Sequence, residues 1–311
     1  MCGIMMIFAG FVPISSGTAL YTPISAYAAQ NNNEIAKRLG RLAWKQVNTV
    51  VTLVEQRRMK DDPEYGAAVT RLRMRECTLE DMDLFNSRVI KSAAKENGID
   101  MSLTENFSAT AIVKTNLVRE NLNVRKAQTN SNKYGMPVVV CAALDKCTSR
   151  DLNRYDREQL LKLNMSSAKV RDALPGFVPL YVGMPVILRM KNLSTDLGIT
   201  NCAQGIVRRI DTAICPAGFT YSTCVLVEFP DSKVALPGLP KGYFPIVPVK
   251  CSFSTTLTTD DRQYLTILCT RYQLPIQSGF AVTGQSAQGK TLPSVLTNLH
   301  KGGFGTYVAA S

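Results

Sequence analysis

The sequence predicts an α/β fold interrupted by a β-rich insertion. Apolar, β-branched runs alternate with helical patterns in the first half of the chain. Prolines then concentrate between residues 175 and 248, where short β-like runs are split by Gly, Pro and Asn. A buried-strand pattern returns at 278–283. Alternating strands and helices read as α/β, and closely spaced short strands with turn residues read as a small β module.

Each element follows from local chemistry. The apolar run at 4–9 predicts a buried strand, followed by a Ser-, Gly- and Pro-rich loop over 10–33. Residues 34–46 pattern as a helix and the β-branched run 47–54 as a strand. A helix over 61–73 carries Pro63 in its first turn, where a missing N–H costs little. Thr78 followed by Asp81 forms a weak capping box that opens a short helix to about residue 86. The polar stretch 91–107 suits a domain boundary. Strands follow at 109–113 and 137–143, flanking a helix over 117–128 that Asn116 can cap, and residues 156–163 make a short helix. In the insertion, strands are expected at 186–189, 205–210, 223–229 and 244–249. A helix from Thr291 and a last strand at 306–310 complete the order. Trp44, on an amphipathic helix, is expected in the core, and Gly183, Gly198 and Gly205 are expected in turns.

With 311 residues, 45% of them hydrophobic and 19% charged, the chain is long enough for two domains. We expect them at 1–100 and 101–311, with the insertion at about 190–275. The formal net charge is +12, split as +4 over residues 34–130 and +8 over 131–311. Such an excess fits a polyanionic partner, and equally a moderately basic soluble protein. Nine cysteines, an odd number with no Cys-x-x-Cys, argue against a zinc site or a disulfide framework and for free thiols. His300 is the only histidine, which nearly excludes triads and histidine-based metal sites. No run reaches the roughly 20 apolar residues of a membrane span. The first 33 residues carry no charge, so a secretory signal would lack its basic flank, and we expect the chain not to be secreted.

Gly284-Gln285-Ser286-Ala287-Gln288-Gly289-Lys290-Thr291 matches the phosphate-loop pattern G-x-x-x-x-G-K-[ST] letter for letter. A working loop of this kind wraps phosphates in backbone N–H groups, and a carboxylate on another strand holds its metal. Here 20 residues follow Thr291 and none is Asp or Glu. The pattern therefore reads as a glycine-rich strand–loop with another task.

The residues around it carry a stronger signal. Ser278-Gly279-Phe280-Ala281-Val282-Thr283, continued by Gln288-Gly289-Lys290-Thr291-Leu292, resembles the fifth motif of superfamily 1 DNA helicases of the petite-integration-frequency type, A-x-T-x-H-x-x-Q-G-x-T-L, with Gln285 at the histidine position. The segment Ile112-Val113-Lys114-Thr115-Asn116-Leu117-Val118-Arg119-Glu120-Asn121-Leu122-Asn123 resembles that family's strand–T-N–helix segment. Val182-Gly183-Met184-Pro185-Val186-Ile187-Leu188, with Asn201 to Gly205 and Val207, resembles the lead-in to its small β-barrel. Arg271-Tyr272-Gln273-Leu274-Pro275 resembles the return from that barrel. Gln56-Arg57-Arg58-Met59 resembles its L-x-x-x-x-R-Q segment, and residues 44–88 resemble helicases of Helitron transposons.

The resemblance implies the end of a first RecA-like domain and then a second RecA-like domain carrying an inserted small β-barrel. It implies ATP and Mg²⁺ as cofactors, single-stranded or forked DNA as partner, a monomer and a nuclear location. Thr115, Asn116, Thr283, Gln285 and Ser286 would contact DNA; Arg58, Gln288, Gly289 and Lys290 would couple it to ATP. The family's front phosphate loop and metal-binding carboxylates are expected upstream of Ile4, and its third motif falls where Gly10-Phe11-Val12-Pro13-Ile14 stands. Tyr307-Val308-Ala309-Ala310-Ser311 resembles the start of its sixth motif, Y-V-A-x-S-R. The expectation is the rear portion of a helicase, unable to hydrolyse ATP alone. The alternatives are a non-catalytic nucleic-acid-binding remnant and an enzyme using 284–291 as a true phosphate loop.

Overall fold

The computed structural model describes residues 31–49, 51, 59–90, 109–163, 174–189, 192–259, 262–288, 292 and 294–298. They fall into two compact units, 31–90 and 109–298. The expected strands at 4–9 and 306–310, the boundary segment 91–107, and Arg58, Gly289, Lys290 and residues 307–311 lie outside the described residues.

The first unit contains α1 (Asn32–Lys45), α2 (Pro63–Met74) and α3 (Leu79–Ser87). Helix α1 starts inside the expected loop because the Asn31 side chain accepts a hydrogen bond from the Glu34 N–H at 3.0 Å. It buries no residue. Trp44 is half-buried instead of sitting in a core, on a helix whose apolar stripe of Ile35, Leu39 and Leu42 is exposed. Residues 47–49 and 51 carry no strand, against expectation; the rest of 47–54 lies outside the described residues.

Helix α2 begins with Pro63 after the N-cap Asp62, and α3 begins with the reciprocal capping box of Thr78 and Asp81. The two helices are tied at both ends. Arg71 grips the Asp81 carboxylate through Nε at 2.7 Å and Nη2 at 2.5 Å. Arg88 reaches Asp62 at 2.7 Å, and Tyr65 meets Phe85 edge-on with ring centroids 5.7 Å apart. The Arg71 guanidinium, with the Thr78 N–H, holds the Asp81 carboxyl down at about 2. A carboxyl with a lowered folded-state pKa contributes stability above its ordinary pKa and loses it as pH falls toward the folded value. Protection of the α2–α3 amides, followed by hydrogen exchange corrected for intrinsic rate, will therefore drop between pH 5 and pH 2. Asp81→Asn will remove most of that pH dependence and lower protection at pH 5; an unchanged profile would refute the linkage.

The second unit is mixed α/β with several sheets. Its elements in order are β1 (Thr110–Val113), α4 (Asn116–Tyr134), β2 (Val139–Ala142), β3 (Leu144–Cys147), α5 (Arg154–Lys162), β4 (Phe177–Leu180), β5 (Pro185–Leu188), β6 (Gln204–Ile214), β7 (Thr220–Glu228), β8 (Tyr243–Ile246), β9 (Val249–Thr258), β10 (Tyr264–Gln273), β11 (Ile276–Ser278), β12 (Ala281–Thr283), α6 (Gly284–Ala287) and β13 (Val295–Thr297). A parallel sheet runs β12-β1-β13. A five-stranded antiparallel sheet runs β11-β5-β6-β7-β8, β9 and β10 form a long hairpin with β3 on its edge, and β2 pairs with β4. Among the described residues β8 and β11 remain separate edges, so the sheet is open where a small closed barrel was expected.

The expected strand at 278–283 is two strands in two sheets. At Gly279 the backbone N–H donates to the Pro185 carbonyl at 2.8 Å, and an added Cβ would lie 3.2 Å from that carbonyl carbon and oxygen. One residue later the Phe280 carbonyl accepts from the Ala111 N–H at 2.8 Å. The chain thus leaves β5 and joins β1 within two residues, which a side chain at 279 would obstruct. Gly183 and Gly198 do occupy turns with positive φ. Gly205 does not: it lies in β6, where a Cβ would come within 2.5 Å of Val227 Cγ1. No helix follows Thr291 among the described residues; β13 runs there, parallel to β1.

Two apolar clusters anchor the unit. One joins Val186, Leu188, Val207, Val225, Val227 and Ile246 of the five-stranded sheet to Ala127 of α4. The other packs Leu160 against Cys251, Phe253, Leu257, Ile267 and Cys269 of the hairpin. Along β10 the alternation that buries Ile267 and Cys269 also buries Arg271 and Gln273. Those two polar side chains face a core.

Candidate nucleic-acid interface

Parallel strands β1 and β12 are in register with Val113 opposite Thr283. Their carboxyl ends therefore lie side by side, and the chain leaves each into a helix start: Thr115 and Asn116 into α4, Gly284 into α6. Ligands in open α/β sheets bind outside the carboxyl ends of the strands, and helix amino ends favour anions. The topology brings Thr115, Asn116, Thr283, Gln285 and Ser286 to that edge.

Thr115, not Asn116, is the N-cap of α4: its hydroxyl accepts from the Val118 N–H at 3.3 Å. Asn116 is the first helical residue, and its Oδ1 accepts from Arg119 Nη1 at 2.7 Å. A threonine one residue earlier in extended backbone offers the same cap, which is why the helix starts sooner; it runs on to Tyr134, where Gly135 in left-handed conformation ends it. Thr115, Asn116 and Gln285 are exposed, Ser286 is half-buried, and Thr283 is buried with its hydroxyl 3.0 Å from that of Ser286. Lys114 stands exposed beside them.

Two residues that sequence patterning missed position this edge. Asn123 on α4 clamps the backbone of β12 from both sides: its Nδ2 donates to the Ala281 carbonyl at 3.1 Å, and its Oδ1 accepts from the Ala281 N–H at 2.8 Å. Arg119 is 5% exposed, held by Asn116 and by Glu120 at 3.2 Å, with its Nε unpartnered. Burial pulls its guanidinium below the ordinary value, and Glu120 opposes that shift. The buried residues of α4 are Arg119, Asn123, Ala127 and Ser131, a stripe at four-residue spacing, while Leu117 and Val124 face outward. The spacing is visible in the sequence; its polarity hides it from a search for apolar faces.

The segment 284–288 is a turn of helix followed by extended backbone at Gln288, which is half-buried and donates its N–H to the Gly284 carbonyl at 3.1 Å. A phosphate loop has the opposite order: an open loop first, and a helix starting near its lysine. Here the helical turn comes first and the strand β13 comes after.

The chain matches no protein-family model and no curated protein. Among solved structures it is similar to the Pif1 helicase from Candida albicans, with 21% identity and a TM-score of 0.52 over 86% of this chain and 55% of that one. It is also similar to the Pif1 helicase from Bacteroides in complex with ADP-AlF3 and single-stranded DNA, with 16% identity and a TM-score of 0.53 over 84% of this chain and 48% of that one. The chain thus spans about half the length of these helicases. At such identities the likeness establishes the fold: the chain is folded like part of a Pif1 helicase.

Proposed function

We propose that this chain is a helicase-like protein that binds single-stranded nucleic acid along the edge formed by Thr115, Asn116, Thr283, Gln285 and Ser286. The observation that carries the reading is the in-register pairing of β1 with β12, which sets two polar segments far apart in sequence side by side at strand ends. The exposed side chains of Thr115, Asn116, Gln285 and Lys114 there suit phosphate contacts, which carry no base preference. The fold shared with the Candida and Bacteroides helicases, the latter in complex with single-stranded DNA, supports it.

In the same reading, the unit over 109–298 is a second RecA-like domain with a β insertion at about 190–275 that corresponds to a small barrel, and the unit over 31–90 belongs to a first RecA-like domain. ATP with Mg²⁺ is the nucleotide, forked DNA a further substrate and the nucleus the location, with the chain acting as a monomer related to Helitron helicases. Arg58, Gln288, Gly289 and Lys290 would couple nucleotide to DNA. The helical turn at Gly284–Ala287, where a phosphate loop would be open, supports a chain that binds DNA but does not by itself turn over ATP.

Fluorescence anisotropy with a labelled oligothymidine tests the reading. Affinity should fall at least about tenfold between 50 and 200 mM salt, as counterion release at several phosphates requires. Steady-state hydrolysis should stay at background with or without DNA. Absence of binding at low salt would overturn the proposal, and robust turnover abolished by Lys290→Ala would restore 284–291 as a phosphate loop.

A further inference from the structure

A second feature of the 109–298 unit lies away from the β1–β12 edge. Where β2, β3 and β10 approach β7, a concavity of about 310 Å³ opens to solvent. That volume is at the small end of ligand sites, suited to a single ring system. Its walls are mostly apolar, with Tyr221 and Tyr272 both half-buried and Leu144 and Pro248 beside them. Lys146 stands exposed at the rim, its Nζ 5.5 Å from the centre of the Tyr272 ring. No lining residue is acidic.

The polar groups on the floor are already occupied. Gln273 donates its amide to the Cys141 carbonyl at 3.1 Å and accepts from the Leu274 N–H at 2.9 Å. The Ser222 hydroxyl bonds the carbonyls of Asp211 and Cys224 at 3.1 and 3.2 Å. Neither is free to read the edge of a ligand. What remains is two phenol rings to stack on, the exposed side chain of Thr223, and one ammonium to meet a negative charge. Aromatic faces plus a cation take a nucleobase by stacking, which every base offers.

We propose that this concavity is a stacking pocket for one unstacked base of a bound single strand, with Lys146 meeting an adjacent phosphate. The proposal rests on the nucleic-acid reading above and adds a second contact point to it. The DNA path would then extend from the β1–β12 edge to the β3–β10 ladder, where Lys146 lies opposite Thr270 and Tyr272 opposite Leu144.

The test uses the full chain and an oligonucleotide carrying 5-iodouracil, irradiated and mapped by mass spectrometry, with affinities measured in parallel. A crosslink on the peptides carrying Tyr221 or Tyr272 is expected. Tyr272→Ala should weaken binding about 5- to 100-fold, the range for one lost stacking partner. Tyr272→Phe should bind as the parent does, and Lys146→Ala should lower the salt slope by about one. If Tyr272→Ala fails to fold, the crosslink and Lys146→Ala decide. Binding with crosslinks only elsewhere, and an unchanged slope in Lys146→Ala, would overturn the pocket while leaving the nucleic-acid reading intact. Absence of any single-strand binding would overturn both.

Discussion

Arg271→Ala will destabilise the 109–298 unit by about 3–5 kcal/mol, the usual cost of stranding one partner of a buried ion pair. Arg271 is fully buried and Asp145 is 3% exposed. They meet in two parallel bonds, Nε to Oδ1 and Nη2 to Oδ2, both 2.8 Å. The guanidinium also donates to the Leu160 carbonyl at 2.7 Å and the Leu174 carbonyl at 3.1 Å, and lies 5.2 Å from the centre of the Phe253 ring. Removing it leaves a carboxylate and two carbonyls in a dry core. Asp145→Leu combined with Arg271→Met removes the stranded charge and fills the space, so the double variant should be more stable than Arg271→Ala alone. Urea unfolding followed by circular dichroism reads both. A loss in Arg271→Ala below about 1 kcal/mol, within the range of an exposed pair, would refute the assignment.

The same pair explains part of a motif. Arg271 and Gln273 are two residues apart, so on β10 they point to one face. Arg271 ties β10 to β3, to the carboxyl end of α5 and to Leu174; Gln273 ties it to the Cys141 and Gly176 carbonyls. Leu274 and Pro275, both buried, then turn the chain toward β11. These residues hold sheets together and do not face the β1–β12 edge.

Local patterns in the sequence predicted those elements whose causes are local. The capping box at Thr78, the proline at the start of α2 and the buried run of β1 depend on a few neighbouring residues, and each stands as expected. Elements set by distant partners were not legible. β3 and β4 are only four residues long, and the β9–β10 hairpin is rich in Ser and Thr, so none stands out; they are strands because of the ladders they join. The split at Gly279 depends on the Pro185 backbone, 94 positions earlier. The split β runs read as a small β-barrel or sheet module and the resemblance favoured the barrel; the described strands form an open sheet.

At the candidate site, the polar residues were legible because the resemblance marked them, and the pairing of β1 with β12 brings them to one edge. Arg58, Gly289 and Lys290 lie outside the described residues. The supporting residues were hidden by a rule that usually holds. Helices turn their apolar face inward. Helix α4 turns Arg119, Asn123 and Ser131 inward, because what it covers at β12 includes the backbone of Ala281, whose N–H and C=O on that side need partners. An apolar face there would bury both groups unpaired.

That arrangement makes Asn123 the residue on which both stability and binding should turn. Asn123→Leu keeps a side chain of similar size but leaves the Ala281 N–H and C=O without partners. Each buried, unsatisfied group costs about 1–3 kcal/mol, so a loss of about 2–6 kcal/mol is expected in urea unfolding. Asn123→Asp restores only the acceptor for the N–H and should fall between Leu and the parent. The functional consequence follows from the register. Ala281 begins the strand that ends at Thr283, and Thr283 and Ser286 share a hydrogen bond at the edge proposed to meet the nucleic acid. With β12 released, that edge loses its alignment with Thr115 and Asn116. Single-strand affinity in Asn123→Leu should therefore drop about tenfold or more under conditions where the protein remains folded, although Asn123 itself is buried and touches no ligand. Full stability in this variant would show that the clamp is dispensable. Full affinity with reduced stability would show that the β12 edge is not where the strand binds.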